Sequence, residues 1–330
     1  MDKLKVNQRF ISVVIPTIKR NRLLARALES LATQSYPMER FQVIVVDNGC
    51  MDDTMRLCQN LTSTIPSLIY IPNPTPGLHS CRHVGLRRAQ GEIVTFADDD
   101  IRAFPSWLEG VNEGFSDSQV ALVGGKAVPE YEEPPPRWID RLWRTVPEGR
   151  ILGAYSLVDL GDRVRTVSSD VVFGCNYSVR RDLAIIMGGF NPDGFPKHLI
   201  RYRGDGEMVL GRLLESRGFK ILYHPKASVY HFVSSERLTH NYIAWRYYIQ
   251  GISSSYTDIR RSNYLRKLDE LVEWGKYWVR LASRLADPLG RMCAQNYHRG
   301  YLYHRSEVRR DPSLLEWVLR SDYWEATPNK

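Results

Sequence analysis

The stretch Gly91-Glu92-Ile93-Val94-Thr95-Phe96-Ala97-Asp98-Asp99-Asp100 decides the fold of this 330-residue chain. Residues 93–96 are β-branched or aromatic and largely apolar, which predicts a short buried strand. The strand stops at three consecutive aspartates, whose carboxylates would repel one another if they were buried without partners. A divalent cation such as Mg²⁺ or Mn²⁺ removes that repulsion, because both ions prefer oxygen ligands. The alternative is a solvated acidic turn that caps the next helix.

Earlier segments of the chain also predict buried strands with polar residues at their ends. Ile11–Thr17 is almost continuously apolar, Phe41–Val46 runs into Asp47, and Ser67–Ile71 forms a third strand. Helical patterns separate these strands, and such alternation is typical of an open parallel sheet. Ligands of such sheets bind beyond the carboxyl ends of the strands. We therefore expect Pro16, Thr17, Asp47 and residues 98–100 to meet at one edge of the sheet.

The composition is that of a globular protein, with 43% hydrophobic and 25% charged residues. The net charge of +8 favours an anionic partner, such as nucleotide phosphates, an anionic lipid surface or nucleic acid. Five cysteines without a CxxC pair indicate neither a disulfide framework nor a zinc site. Because Met1–Lys5 lacks the apolar core of a signal peptide, and no run of about 18 apolar residues occurs, we expect a cytoplasmic protein.

Further acidic and imidazole side chains follow in the second half of the chain. Gly204-Asp205-Gly206-Glu207 precedes a helical leucine pattern, so Asp205 is expected where a helix begins. Its carboxylate and that of Glu207 are either plain helix-capping groups or catalytic groups. Two extended segments then end at His231, and a lone histidine is more often structural than a metal ligand.

The chain changes character after His231 and becomes rich in Tyr, Trp and Arg. Asn263–Met292 has a helical pattern in which leucine, valine and tryptophan alternate with lysine and arginine. Such a segment either packs on the preceding domain or lies on an anionic membrane surface. Core packing is the preferred interpretation, because most amphipathic helices bury their apolar face inside the protein.

The ordered set of motifs resembles family 2 glycosyltransferases of the GT-A fold. The resemblance rests on Ile11–Thr17, Val45–Gly49, Gly91–Asp100, the segment from Asn176 to Phe190, and Gly204–Gly218, and it covers roughly residues 10–231. It implies an α/β fold in which a Rossmann-like, mostly parallel sheet is flanked by helices and followed by a mainly helical C-terminal region. The tail is similar in style to that of soluble bacterial envelope-polysaccharide transferases.

The resemblance also implies an activity: inverting transfer of a sugar from a nucleotide-diphosphate donor, most often a UDP-sugar, to a hydroxyl group. The acceptor would be a glycan or a lipid-linked molecule, Mn²⁺ or Mg²⁺ would assist, and a carboxylate would act as general base. By resemblance, Asp100, Asp98 and His231 belong to the metal site. The residues assigned to the donor nucleotide are Pro16, Thr17, Asp47, Arg82, Asp98 and Asp99.

Two departures from the family pattern affect these assignments. The family often has Ala-Arg-Asn where this chain has Cys81-Arg82-His83, and it often has Gly-Glu-Asp on the acidic helix where this chain has Gly204-Asp205-Gly206-Glu207. Counting back from Gly218 aligns Glu207 with the usual base, and Asp205 is its rival. We expect residues 1–235 to form the catalytic domain, and residues 236–330 to contact the acceptor or the inner face of a membrane.

Other functions fit the sequence less well. A nucleotidyltransferase of similar fold usually carries a glycine-rich basic loop after its first strand, and residues 16–20 contain no glycine. A non-catalytic nucleic-acid-binding protein is permitted by the basic composition, but the positive charge is not concentrated in one stripe, so no nucleic-acid partner is expected. A degenerate relative that binds sugar without catalysis is a further alternative, since a fold does not imply activity.

Overall fold

The structure is a computed structural model, and it describes residues 8–50 and 52–328. The prediction for Met1–Lys5 lies outside these residues. The helices in the described part of the chain are α1 (Asn21–Ala32), α2 (Thr54–Leu61), α3 (Leu78–Arg88), α4 (Trp107–Gly114), α5 (Arg181–Ile186), α6 (Met208–Ser216), α7 (His240–Ser262), α8 (Lys267–Ala282), α9 (Pro288–Arg310) and α10 (Pro312–Leu319).

Fourteen strands alternate with these helices in the described residues and form two sheets. They are β1 (Ile11–Thr17), β2 (Phe41–Asp47), β3 (Leu68–Pro72), β4 (Ile93–Ala97), β5 (Ile101–Ala103), β6 (Val120–Gly124), β7 (Ala127–Tyr131), β8 (Arg144–Val146), β9 (Gly149–Leu152), β10 (Leu157–Asp159), β11 (Arg165–Thr166), β12 (Asn176–Arg180), β13 (Lys220–Tyr223) and β14 (Val229–Val233).

The larger sheet has eight strands in the order β11-β13-β6-β12-β4-β1-β2-β3. Strands β4, β1, β2 and β3 are mutually parallel, as predicted, and β12 is antiparallel to both of its neighbours. Every residue of β1, β2 and β4 is buried, because helices cover both faces of the sheet and the strand sequences are apolar on both sides. This architecture confirms the predicted α/β class.

A second sheet of six strands has the order β5-β14-β7-β10-β9-β8. The aspartate triplet forms the turn between β4 of the first sheet and β5 of the second, so it joins the two sheets. In the antiparallel pair of β5 and β14, His231 lies opposite Ile101, and the N–H of Phe232 donates to the carbonyl of Asp100 at 2.9 Å. This pairing brings His231 beside the aspartates although 130 residues of chain separate it from Asp100.

Two local expectations are corrected by the structure. Helix α6 begins at Met208, after Glu207, and not at Asp205. Gly206 has a φ of +58°, and this left-handed conformation interrupts the backbone between the two acids. His231 lies inside β14 and not at its end, because the strand continues to Val233.

The C-terminal helices pack on one another and on the preceding part of the chain. Helices α7 and α9 approach closely at Gly251 and Gly300, where an added Cβ would lie 2.0 Å from the carbonyl oxygen of Tyr297 and 1.9 Å from that of Tyr248. Arg246 of α7 donates to the carbonyl of Ala154 at 2.9 Å, which ties these helices to the preceding region.

The predicted helical segment Asn263–Met292 contains helix α8 and the beginning of helix α9. Residues 283–287 separate these two helices. The expectation of core packing is wrong for α8: Leu271, Trp278 and Val279 are 68%, 62% and 69% exposed. No helix among the described residues is both long and apolar enough to cross a lipid bilayer.

Candidate active site

A cavity of about 670 Å³ opens beyond the carboxyl end of β4. Its wall combines the aspartate turn, the start of α3, the segment before α6, and helices α7 to α9. Many of its lining side chains are charged. The acids include Asp98, Asp193, Asp205, Glu207, Asp258 and Glu273, and the bases are Arg82, Arg203, Arg212, Arg246, Arg261 and Lys276. Such a lining suits a highly polar ligand.

Asp98 lines this cavity and forms a compact cluster with Asp100 and His231, which lie behind its wall. Their potential ligand atoms all lie within 4.8 Å of one another. The His231 ring Nε2 lies 3.2 Å from Oδ1 of Asp100, and Arg237 donates to the other oxygen, Oδ2, at 2.9 Å. The structure therefore brings together the three residues that the resemblance assigned to a metal.

The charges around Asp100 and His231 stabilise one another. Burial opposes ionisation of Asp100, but the neighbouring His231, Arg237 and Arg20 together lower the pKa of Asp100 well below its usual range. Burial likewise disfavours a charged His231, whereas the carboxylate of Asp100 raises the pKa of that imidazole. Both pKa shifts favour the charged forms of the two side chains, which lie 3.2 Å apart.

The surroundings of the cluster fit a divalent cation. The buried Oδ1 of Asp100 makes no hydrogen bond of good geometry within the described residues. Because a carbonyl oxygen only accepts, Nδ1 of His231 donates to the carbonyl of Tyr155 at 2.9 Å, which leaves Nε2 facing the aspartates. Such a contact sets the tautomer of metal-binding histidines. One imidazole and two carboxylates can hold Mn²⁺ or Mg²⁺ and leave positions for a ligand.

Asp99 has a different environment from its two neighbours in the triplet. It accepts hydrogen bonds from Oγ1 of Thr17 at 2.7 Å and from Nη1 of Arg20 at 3.0 Å. Burial, partly offset by Arg20, raises the pKa of Asp99 to about 6. The same Arg20 nitrogen lies 3.2 Å from Oδ2 of Asp100, so Thr17, Arg20 and Asp99 brace the turn that presents the metal cluster.

Arg82 connects the metal cluster to the acidic segment before α6. Its side chain is only 2% exposed; Nη1 donates to Oε2 of Glu207 at 2.9 Å and Nη2 lies 3.9 Å from Oδ1 of Asp98. The N–H of Gly174 donates to Oε1 of Glu207 at 3.0 Å. A Cβ at position 174 would lie 2.1 Å from Nη2 of Arg82, so glycine is required for this approach.

Asp205, the rival of Glu207, is held by two hydrogen bonds. Its Oδ1 accepts from the amide of Asn191 at 2.7 Å, and its Oδ2 accepts from the hydroxyl of Thr257 at 2.9 Å. Burial raises the pKa of Asp205, although these hydrogen bonds oppose the change. Both acids line the cavity, but only Glu207 also contacts Arg82.

The remaining residues assigned to the donor lie at the same edge of the sheet, outside the wall of the large cavity. Pro16 and Thr17 end β1, where they pair with Val46 and Asp47 of β2. The carboxylate of Asp47 accepts from the backbone N–H groups of Gly49 and Cys50 at 2.9 and 3.1 Å, and from Tyr70 Oη at 2.9 Å. In this structure Asp47 therefore organises the turn after β2.

His83, which stands where the family often has asparagine, has a structural role. Its Nε2 accepts the backbone N–H of Phe190 at 2.8 Å, and its ring stacks on Trp324 with 4.3 Å between centroids. Burial lowers the pKa of His83 to about 3, so the ring is neutral and able to accept this bond. The imidazole thereby links α3 to the loop before the acidic segment.

Sequence reasoning missed two arginines of the site, Arg20 and Arg237. Arg20 lies three residues beyond the end of β1 at the ligand-binding edge of the sheet, so its position alone was a usable signal. Arg237 follows β14 in a short turn, and nothing in the local sequence indicates that it returns to Asp100. Its role depends on the pairing of β14 with β5.

Comparison with known proteins agrees with this geometry. Residues 12–184 match the family model described as Glycosyl transferase family 2. The glycosyltransferase AglE of Haloferax volcanii is 32% identical over 117 residues, which is 35% of this chain but only 38% of that relative's length. The glucosyl-dolichyl phosphate glucuronosyltransferase of the same organism is 24% identical over 255 residues, covering 76% of this chain and 77% of the relative.

A solved structure with a similar fold is the mannosyltransferase PcManGT from Pyrobaculum calidifontis, in complex with GDP-Man and Mn²⁺. It has a TM-score of 0.52 and 16% identity, with 95% of this chain and 74% of that chain covered, so the likeness concerns the fold. The family match, in contrast, spans more than half of the 330 residues, and it contains Arg82 and the aspartate triplet. The chain therefore belongs to glycosyl transferase family 2 and is a glycosyltransferase.

Proposed function

We propose that this enzyme transfers a sugar, with inversion, from a nucleotide-diphosphate donor to a hydroxyl group of its acceptor. The observation that carries the proposal is the position of Arg82. One buried guanidinium contacts Asp98 of the metal cluster at 3.9 Å and Glu207 at 2.9 Å. A donor diphosphate on the metal cluster would therefore place its sugar beside a carboxylate that can accept a proton.

The donor end of the site is assigned to Asp98, Asp100 and His231. These residues would hold Mn²⁺ or Mg²⁺, which when bound would neutralise charge on the departing diphosphate. Asp99 and Thr17 support the turn, and Pro16, Asp47 and Arg82 complete the nucleotide side. A UDP-sugar is the proposed donor class, in keeping with the family resemblance; the GDP-Man complex belongs to a relative with only 16% identity.

The acceptor end of the site is assigned to Glu207 as general base. The acceptor hydroxyl would attack the anomeric carbon while Glu207 takes its proton, and the bond between that carbon and the diphosphate oxygen would break with its electron pair leaving on the oxygen. Arg82 and the N–H of Gly174 orient the carboxylate. Asp205 is assigned a positioning role, because it accepts from Asn191 and Thr257 and makes no contact with Arg82, the residue that links Glu207 to Asp98.

The acceptor is proposed to be a glycan or a lipid-linked molecule of the envelope-polysaccharide type. A relative that covers 76% of this chain is named for transfer to a glucosyl-dolichyl phosphate, which supports a lipid-linked acceptor. We propose that residues 1–235 bind the donor and that residues 236–330 contribute the acceptor side, since Arg246, Arg261 and Lys276 line the same cavity.

A thermal-shift panel of UDP-, GDP- and dTDP-sugars, each with and without Mn²⁺, tests the donor assignment. We expect stabilisation by the UDP-sugar in the presence of Mn²⁺, because a ligand that binds only the folded state raises its stability. Loss of that stabilisation in Asp100→Asn, measured as the shift from the melting temperature of the ligand-free variant itself, would tie the effect to the cluster. Equal stabilisation with and without metal would contradict the metal-assisted mechanism.

A further inference from the structure

Helix α8 carries an apolar face that no other described part of the chain covers. Eight of the thirteen large apolar side chains that are exposed among the described residues fall between positions 264 and 285. They are Tyr264, Leu268, Leu271, Val272, Trp274, Trp278, Val279 and Leu285. Most recur at intervals of three or four residues, so they share one side of the helix. An unpartnered face of this kind marks a docking surface.

The charged residues of α8 are distributed unevenly around this apolar face. Its three carboxylates all turn toward the protein. Asp269 lies 3.7 Å from Arg305 of α9, and Glu270 accepts from the same arginine at 3.0 Å. Glu273 is 4% exposed and lies 3.7 Å from His298 of α9. Lys267 and Lys276 are exposed on α8, and the helical period places them on opposite flanks of the apolar face. The outward side of α8 is thus apolar with a cationic border.

We propose that α8 lies in the interface of an anionic lipid bilayer, with its apolar face among the acyl chains and its lysines at the phosphates. An amphipathic helix binds such a surface through buried apolar area plus attraction to anionic lipids. Tryptophan side chains such as Trp278 favour this interface because one end of the ring is apolar and the other polar. A second copy of the chain is a poorer occupant, since pairing two such faces would bring like-charged lysine borders together.

The position of α8 connects this surface to the active site. Lys276 and Glu273 line the same cavity as Asp98 and Glu207, so docking of α8 would bring the mouth of the cavity to the membrane surface. This consequence rests on the proposed function: a lipid-linked acceptor could then present its hydroxyl group to Glu207 while its hydrocarbon chain stays in the bilayer. Binding of the helix to lipid does not itself depend on catalysis.

Co-sedimentation with vesicles tests the proposal on the full chain. The vesicles contain phosphatidylcholine alone, or phosphatidylcholine with an equal part of phosphatidylglycerol. The test variant is Leu271→Glu with Val279→Glu, and the matched control is Val164→Glu with Ile186→Glu, because those residues are 51% and 74% exposed elsewhere on the surface. All four positions are exposed, so we expect both variants to melt at the temperature of the unmodified protein.

We expect the unmodified protein and the control variant to bind the anionic vesicles, and binding to weaken as salt is added. The α8 variant should bind roughly a hundredfold more weakly, since two apolar side chains that entered the bilayer are replaced by acids. Absence of binding by the unmodified protein, or equal binding by both variants, would overturn the proposal. So would sedimentation velocity that shows a dimer abolished by the α8 substitutions. Because these readouts need no donor, they stand apart from a failure of the transfer assay.

Discussion

Replacement of Glu207 by glutamine is the perturbation that bears most directly on the chemistry. A glutamine side chain has nearly the same shape, but it cannot take the acceptor proton. General-base catalysis contributes about 10²- to 10⁴-fold to a rate, so we predict that kcat falls by that factor, equivalent to roughly 3–5 kcal/mol of barrier. The Michaelis constant for the donor should stay within about threefold, because the donor side is assigned to other residues.

The same substitution should also lower stability, and the size follows from the contacts of Arg82. That arginine is 2% exposed and donates to Glu207 at 2.9 Å, whereas its other carboxylate neighbour, Asp98, is 3.9 Å away. A hydrogen bond between charged groups is worth about 1.5–3 kcal/mol. We therefore expect a loss of that order in the free energy of unfolding, measured with urea, while the enzyme remains folded at room temperature.

A radiolabelled or coupled assay of transfer, together with calorimetric titration of UDP, separates the two effects. Asp205→Asn is the matched control, since Asp205 lines the same cavity and is held by Asn191 and Thr257. We expect that control to reduce kcat far less than Glu207→Gln. If Glu207→Gln keeps near-normal kcat while Asp205→Asn abolishes transfer with normal UDP binding, the assignment of the base is wrong.

Three further predictions concern the groups around the base. Gly174→Ala should displace the guanidinium of Arg82, because the new Cβ would lie 2.1 Å from Nη2, and we expect loss of transfer with retained secondary structure by circular dichroism. Burial raises the pKa of Asp99 to about 6, above its unfolded value, so stability from this group is lost as pH rises from about 4 to about 6. Measured by urea unfolding in metal-free buffer, the unmodified protein should lose about 2 kcal/mol relative to Asp99→Asn over that interval; parallel pH profiles would contradict it. His231→Gln should weaken Mn²⁺ binding by about 10-fold or more in calorimetric titration, since it removes the imidazole from the proposed set of three ligands; unchanged affinity would remove His231 from the metal site.

Much of the strand and helix order before α7 was predictable from local pattern. Residue types change abruptly at the ends of the apolar strands Ile11–Thr17, Phe41–Asp47 and Ile93–Ala97, and this change marks the strand boundaries. Because carboxyl ends of parallel strands meet at one edge, the gathering of Thr17, Asp47 and the aspartates there followed from topology alone.

The parts that could not be predicted depend on long-range pairing or on what covers a surface. His231 reaches Asp100 only because β14 pairs with β5, and Arg237 is carried along with it. The amphipathic pattern of α8 looks the same whether its apolar face meets the core or solvent, so periodicity gave no reason to expect Leu271 to be 68% exposed. Helix α6 begins later than predicted, because the left-handed backbone at Gly206 prevents helical conformation before Glu207.

Pulsed electron paramagnetic resonance of Mn²⁺ in the presence of UDP tests the central claim most directly. The claim is that Asp98, Asp100 and His231 hold the ion that meets the donor diphosphate. We predict nitrogen modulation from one imidazole together with phosphorus coupling from UDP, and loss of the nitrogen signal alone in His231→Gln. Phosphorus coupling without nitrogen in the unmodified enzyme, or an identical spectrum in the variant, would contradict the claim.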